Sequence, residues 1–111
     1  MLLIIILTGM EKKIGILISA APASSKFSEG LAAAERAVST KSQVYLYLID
    51  SAVEGIANPR LESFKSSGGH LFACAYSLQR RGLNPPGAAT LSGLTVLSDI
   101  MASTDEFQSY N

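Results

Sequence analysis

The chain has one cysteine, Cys74, and one histidine, His70, so it forms no internal disulfide and offers no Cys/His cluster with structural-zinc spacing. A lone thiol fits a reducing, cytoplasmic compartment. Charge of one sign is also lacking: nine Lys and Arg offset nine Asp and Glu, which leaves no basic footprint for direct nucleic-acid binding. The segment Ala20–Ser25 contains no glycine, so neither a Walker A loop nor a GxGxxG fingerprint is present where an α/β fold would place one. No apolar run approaches the ~20 residues of a membrane-spanning helix, and no membrane partner is expected. The longest, Leu2–Leu7, has no basic residue before it and is soon followed by Glu11, Lys12 and Lys13, a poor match to a secretory signal. Either it adds a strand or an intersubunit contact, or Met10 is the usual start and residues 1–9 are a dispensable extension.

What remains is an apolar chain of 111 residues, 48% hydrophobic, of a length that suits a single domain (1–111) around one core. Lys12–Ser19 reads as a strand apolar on both faces, as a covered parallel sheet requires. Ser24, Ser25 or Ser28 then caps an amphipathic helix over Phe27–Thr40. Gln43–Ile49 reads as a second strand in which Tyr45 and Tyr47 share one face, for core or subunit contact. Asn58-Pro59 interrupts the helical segment Ser51–Ser67. A short strand at Leu71–Ala73 precedes a helix closed by Gly82, and another at Ala88–Leu91 precedes a helix from Gly93 to Ser103. Ser92 caps this last helix, with Leu94, Leu97, Ile100 and Met101 as its buried stripe. Glu106–Tyr110 closes the chain as a strand with Phe107 inward. This alternation predicts a three-layer α/β/α sandwich, Rossmann-like, with a mainly parallel sheet of about five strands.

Cys74 sits at the seam between the third strand and its helix. A free cysteine is by default a small core hydrophobe. At a helix start, however, unpaired backbone N–H groups and the positive dipole end favour an anion, the setting in which a thiol acts as a nucleophile. Neighbours in sequence supply no dyad. His70 lies about 13 Å back along an extended strand, and Arg80 and Arg81 lie about 9–10 Å along the helix. Activation therefore has to come from the helix terminus or from another loop. In a parallel sheet with right-handed crossovers, Cys74, Asp50 and the Ala20–Ser25 loop share the carboxyl edge. Asp50 reads there as a helix cap or loop hydrogen-bonding residue, with a polar contribution near Cys74 as the alternative. The Asn84–Gly87 loop is a candidate wall.

The run Cys74-Ala-Tyr-Ser-Leu-Gln-Arg-Arg-Gly-Leu83, followed by Thr90-Leu-Ser-Gly-Leu94, a helix and Asp105, resembles the DsrE/DsrF/TusD-like sulfur-relay family. The resemblance spans Lys12 to Tyr110 and is specific in those two blocks; the Asn84–Gly87 loop is shorter than its TusD counterpart. It implies a DsrE-like fold and a sulfur carrier or sulfurtransferase subunit, with Cys74 accepting a persulfide sulfur and passing it on. Its implied partners are sulfur donor and acceptor proteins and further copies of the chain. It implies no metal or organic cofactor. Two other classes stay open: a non-catalytic oligomeric interaction subunit, and a small-molecule binding module of the same fold.

Overall fold

The computed structural model describes residues 11–84, 87 and 89–111. Strands and helices alternate in them as β1 (Lys13–Ile18), α1 (Ser25–Ser39), β2 (Gln43–Leu48), a 3-10 helix (Asp50–Gly55), α2 (Pro59–Ser66), β3 (His70–Cys74), α3 (Ala75–Arg80), β4 (Thr90–Ser92), α4 (Leu94–Ser103) and β5 (Glu106–Tyr110). The Leu2–Leu7 run, the Met10 start, both prolines of the Asn84–Gly87 loop and Ala88 lie outside the described residues.

Local chemistry sets most boundaries. Ser24 starts α1 by accepting a hydrogen bond from the Lys26 N–H at 3.1 Å. Asn58 does the same for α2 through the Arg60 N–H at 2.9 Å, with Pro59 at the first helical position, where its missing donor costs nothing. Gly82 ends α3 in the left-handed region, φ +61°, which glycine enters without penalty. One expected cap is absent. The N-cap of α4 is Gly93, and Ser92 is the last residue of β4.

The five strands form one all-parallel sheet in the order β4-β3-β2-β1-β5. Steps from β1 to β2, β3 and β4 run in one direction, so right-handed crossovers place α1, α2 and α3 on one face. The step from β4 to β5 runs back across the sheet, which sends α4 to the other. Strand alternation matches this division. Ile14, Ile16, Ile18, Val44, Leu46, Leu48, Leu71 and Ala73 bury against Phe27, Leu31 and Ala34 of α1, Leu61 and Phe64 of α2, and Leu78 of α3. On the opposite face Tyr47, Cys74 and Ile100 form a smaller core, flanked by half-buried Leu17, Tyr45, Phe72, Val96, Leu97 and Phe107.

Half of the expected buried stripe of α4 is uncovered. Ile100 is buried, but Leu94 is 62% and Met101 53% exposed. Helical spacing identifies which side chains share a stripe, whereas burial needs an opposing surface, and among the described residues α4 is the only helix on this face. Its C-terminal half packs tightly over Gly15, where an added Cβ would lie 2.8 Å from the Phe107 ring and 2.9 Å from Ile100. Close approach there leaves the first turn of α4 overhanging.

Candidate functional site

The chains leaving the neighbouring strands β3 and β4 turn to opposite faces, so the carboxyl ends of this pair mark the topological switch point of the sheet. Cys74 and Ser92 are the two residues at that point, paired in register. Parallel neighbours are about 4.8 Å apart, and side chains at one register position share a face. Cys74 alternates with Ala73 and therefore points to the α4 face, where it joins Tyr47 and Ile100. It is 3% exposed.

This orientation changes what α3 offers the sulfur. Cys74 is the N-cap residue of α3, yet its side chain makes no capping bond, because the helix lies on the other face. The expected activation by the helix terminus is thus not realised, and α3 is only six residues long. Neighbouring hydroxyls are the groups that reach this face. Tyr47 on β2 is fully buried, and its phenol donates to the carbonyls of Gly93 at 3.0 Å and Ser92 at 3.4 Å. Burial is the main cause that pushes the Tyr47 pKa above its ordinary value, and the neighbouring Cys74 adds to it. Tyr47 and Cys74 share one buried cluster, and Ser92 pairs with Cys74 in register. Ser92 Oγ is buried and has no hydrogen-bond partner among the described residues.

The other expected positions lie around this point without entering it. Asp50 does not cap a helix: Ile49 is the N-cap of the 3-10 helix, and Asp50 takes φ +53°, a left-handed conformation that aspartate tolerates. Its backbone N–H donates to Ser77 Oγ at 3.0 Å, tying the end of β2 to the first turn of α3, while its residue stays exposed. The Ala20–Ser25 loop starts two strands away, with the N–H groups of Ser19 and Ala20 donating to the Tyr110 carbonyl. His70 stacks on Tyr45, ring centroids 4.7 Å apart. Arg81 pairs with Glu54 and donates to the Ser77 carbonyl, and Arg80 sits over the Tyr76 ring. Asp50, Tyr76, Ser77, Arg80 and Arg81 line a cleft of about 440 Å³ that does not include Cys74. A second, of about 550 Å³, is lined by Asn58, Glu62 and Lys65 among others. Among the described residues no three His, Cys, Asp or Glu side chains gather as metal ligands.

Residues 12–107 match the model of the DsrE/DsrF-like family. The chain belongs to that family. Among solved structures, the ychN protein from E. coli has the same fold: the TM-score is 0.76 at 19% identity, with 91% of this chain and 100% of that one covered. No curated protein matches the sequence. In this DsrE/DsrF-like chain the two blocks that carry the sequence resemblance end up side by side, Cys74 opening one and Ser92 in the middle of the other. Tyr47 and Ser92 gain importance that the sequence did not give them. Alternation gave Tyr47 a core or subunit contact and the serine before a helical run suggested a cap, but strand order, which brings both toward Cys74, is not a local property.

Proposed function

We propose that this DsrE/DsrF-like chain is a sulfur-relay subunit in which Cys74 carries a persulfide. The observation that supports it is the position of Cys74: the last residue of β3, at the switch point, beside the second family block. The Cys74 thiolate attacks the outer sulfur of a donor protein's persulfide; an S–S bond forms at Cys74, the donor S–S bond breaks, and the donor cysteine leaves as thiolate. An acceptor cysteine repeats the exchange on the outer sulfur and releases the Cys74 thiolate. Neither step needs a net oxidant, a metal or an organic cofactor.

Because Cys74 is buried, transfer requires the cover over it to open. That cover includes α4, which is the least embedded helix and carries exposed Leu94 and Met101. The same exposed side chains suit contact with further copies of the chain, so the relay subunit is a homo-oligomer that meets its donor and acceptor proteins in the cytoplasm. No nucleic-acid or membrane contact is part of this reading.

Burial of Cys74 favours one second reading, a non-catalytic interaction subunit whose thiol only packs. The small-molecule alternative has less support, since the two clefts above are open and their linings include charged and polar side chains. Intact mass after incubation with a low-molecular-weight persulfide separates the two readings. The relay predicts a gain of one sulfur atom in the wild type and none in Cys74→Ser. Gain in both proteins, or in neither, overturns it.

A further inference from the structure

We propose that the cleft lined by Asp50, Tyr76, Ser77, Arg80 and Arg81 docks an acidic segment of a relay partner protein, an inference that rests on the relay reading. Its walls are tied together. The Asp50 N–H donates to Ser77 Oγ at 3.0 Å, and Arg81 donates through Nε to Glu54 at 3.1 Å and through Nη1 to the Ser77 carbonyl at 3.3 Å. Ser77 is 2% exposed, so this framework is anchored in the core and needs no reordering when a guest arrives. Arg80 is the uncommitted group. It makes no ion pair among the described residues, and its bond to the Tyr76 hydroxyl at 3.4 Å leaves most of its N–H donors free. A guanidinium without a carboxylate, beside a second one held in place by Glu54, favours an anionic guest.

A protein segment fits this cleft better than a free oxyanion. Tyr76 is 64% exposed, with the Arg80 guanidinium over its ring at 5.9 Å from the centroid. Tyrosine and arginine are the residues enriched where proteins bind proteins, and a small ion would leave that ring in water. The chain carries no net charge, so attraction for an acidic partner is local to this rim. Asp50 also lines the cleft, exposed and without an ion pair among the described residues, and its carboxylate opposes an acidic guest. The cleft lies on the α3 face of the sheet, whereas the Cys74 side chain lies on the α4 face. A partner anchored there leaves the side from which the sulfur opens unobstructed.

The test measures binding of a fluorescein-labelled hexaglutamate peptide to the full chain by anisotropy, with a hexalysine peptide and inorganic phosphate as competing probes. The wild type binds hexaglutamate, loses affinity for it as salt rises, and does not bind hexalysine. Arg80→Gln weakens binding about fivefold and Tyr76→Ala about threefold, the scale of a rim contact to a charged group. Asp50→Asn tightens it about twofold by removing the opposing charge. Asparagine also tolerates φ +53°, so the cleft keeps its shape. Lys65→Gln, an exposed position on α2, changes nothing. All four side chains are exposed and each variant keeps its fold, which thermal melting checks. Absence of hexaglutamate binding, an equal loss in Lys65→Gln, or weaker binding by Asp50→Asn overturns the inference. Displacement by phosphate at the peptide's own concentration overturns the segment and makes the cleft a small-anion site. Peptide binding by a protein that gains no sulfur at Cys74 sinks the relay and leaves the acidic-segment site standing. Sulfur gain without peptide binding does the reverse.

Discussion

If α4 gates Cys74, truncating the side chain that anchors α4 must speed the thiol's reaction far more than an equal loss of stability elsewhere. Ile100 is that anchor, the one buried residue of the helix and a member of the Cys74 cluster. Ile100→Ala removes buried methyl and methylene groups at a cost of about 2–3 kcal/mol, the lower part of the range for such truncations, since the thin cover on this face allows collapse. Alkylation through a local opening scales with the opening constant, so this cost corresponds to roughly 30- to 150-fold faster labelling at 1.36 kcal/mol per factor of ten. The control is Leu61→Ala, a fully buried residue of α2 on the opposite face. It destabilises the fold by a similar amount but leaves α4 in place. Labelling rates under native conditions, with global stability from urea titration, decide the matter. Equal acceleration in the two variants would mean that the sulfur is reached only by global unfolding, and the gate would be refuted.

Three further outcomes follow from the geometry. Gly15→Ala forces a methyl group against Phe107 and Ile100 and lowers stability by about 1–3 kcal/mol; an unchanged urea midpoint would show that α4 moves aside without cost. Leu94→Glu places a charge on the exposed start of α4 and weakens self-association about tenfold or more, read by sedimentation across concentrations, while a wild type that stays monomeric throughout contradicts the assembly reading. Arg60 grips Glu35 with two hydrogen bonds, of 2.7 and 3.0 Å, and holds its carboxyl below the usual range. The folded pKa lies below the unfolded one, so this stabilisation is complete above the unfolded value and disappears as pH falls through the folded value. For so exposed a pair it amounts to at most about 1 kcal/mol, and the melting difference between wild type and Glu35→Gln should vanish in acid; a difference constant with pH would deny the pair its role.

The elements were legible because their signals are local. Ser24, Asn58-Pro59 and Gly82 act within a few residues of the boundaries they set, and alternation in Gln43–Leu48 separated the faces of β2 correctly. Cys74 likewise appeared at a strand-to-helix seam before any fold was known. Its surroundings did not, because they depend on strand order and on which face each crossover takes. The α4 stripe shows the same limit: spacing grouped Leu94, Leu97, Ile100 and Met101, while the sheet surface that buries Ile100 and half-buries Leu97 is assembled from strands distant in sequence. Asp50 was read for its carboxylate, yet the fold uses its left-handed backbone and its N–H.

The place of β5 has a consequence for biosynthesis. It completes β1 from the far end of the chain, as the bond from the Lys13 N–H to the Asp105 carboxylate, 92 residues apart, makes plain. At about 5–20 residues per second, a ribosome takes roughly 5–20 s to cover that interval. Throughout it, the isoleucine-rich edge of β1 that β5 later covers is open to other nascent chains or a chaperone, so the arrival of β5 also decides when that edge stops being adhesive.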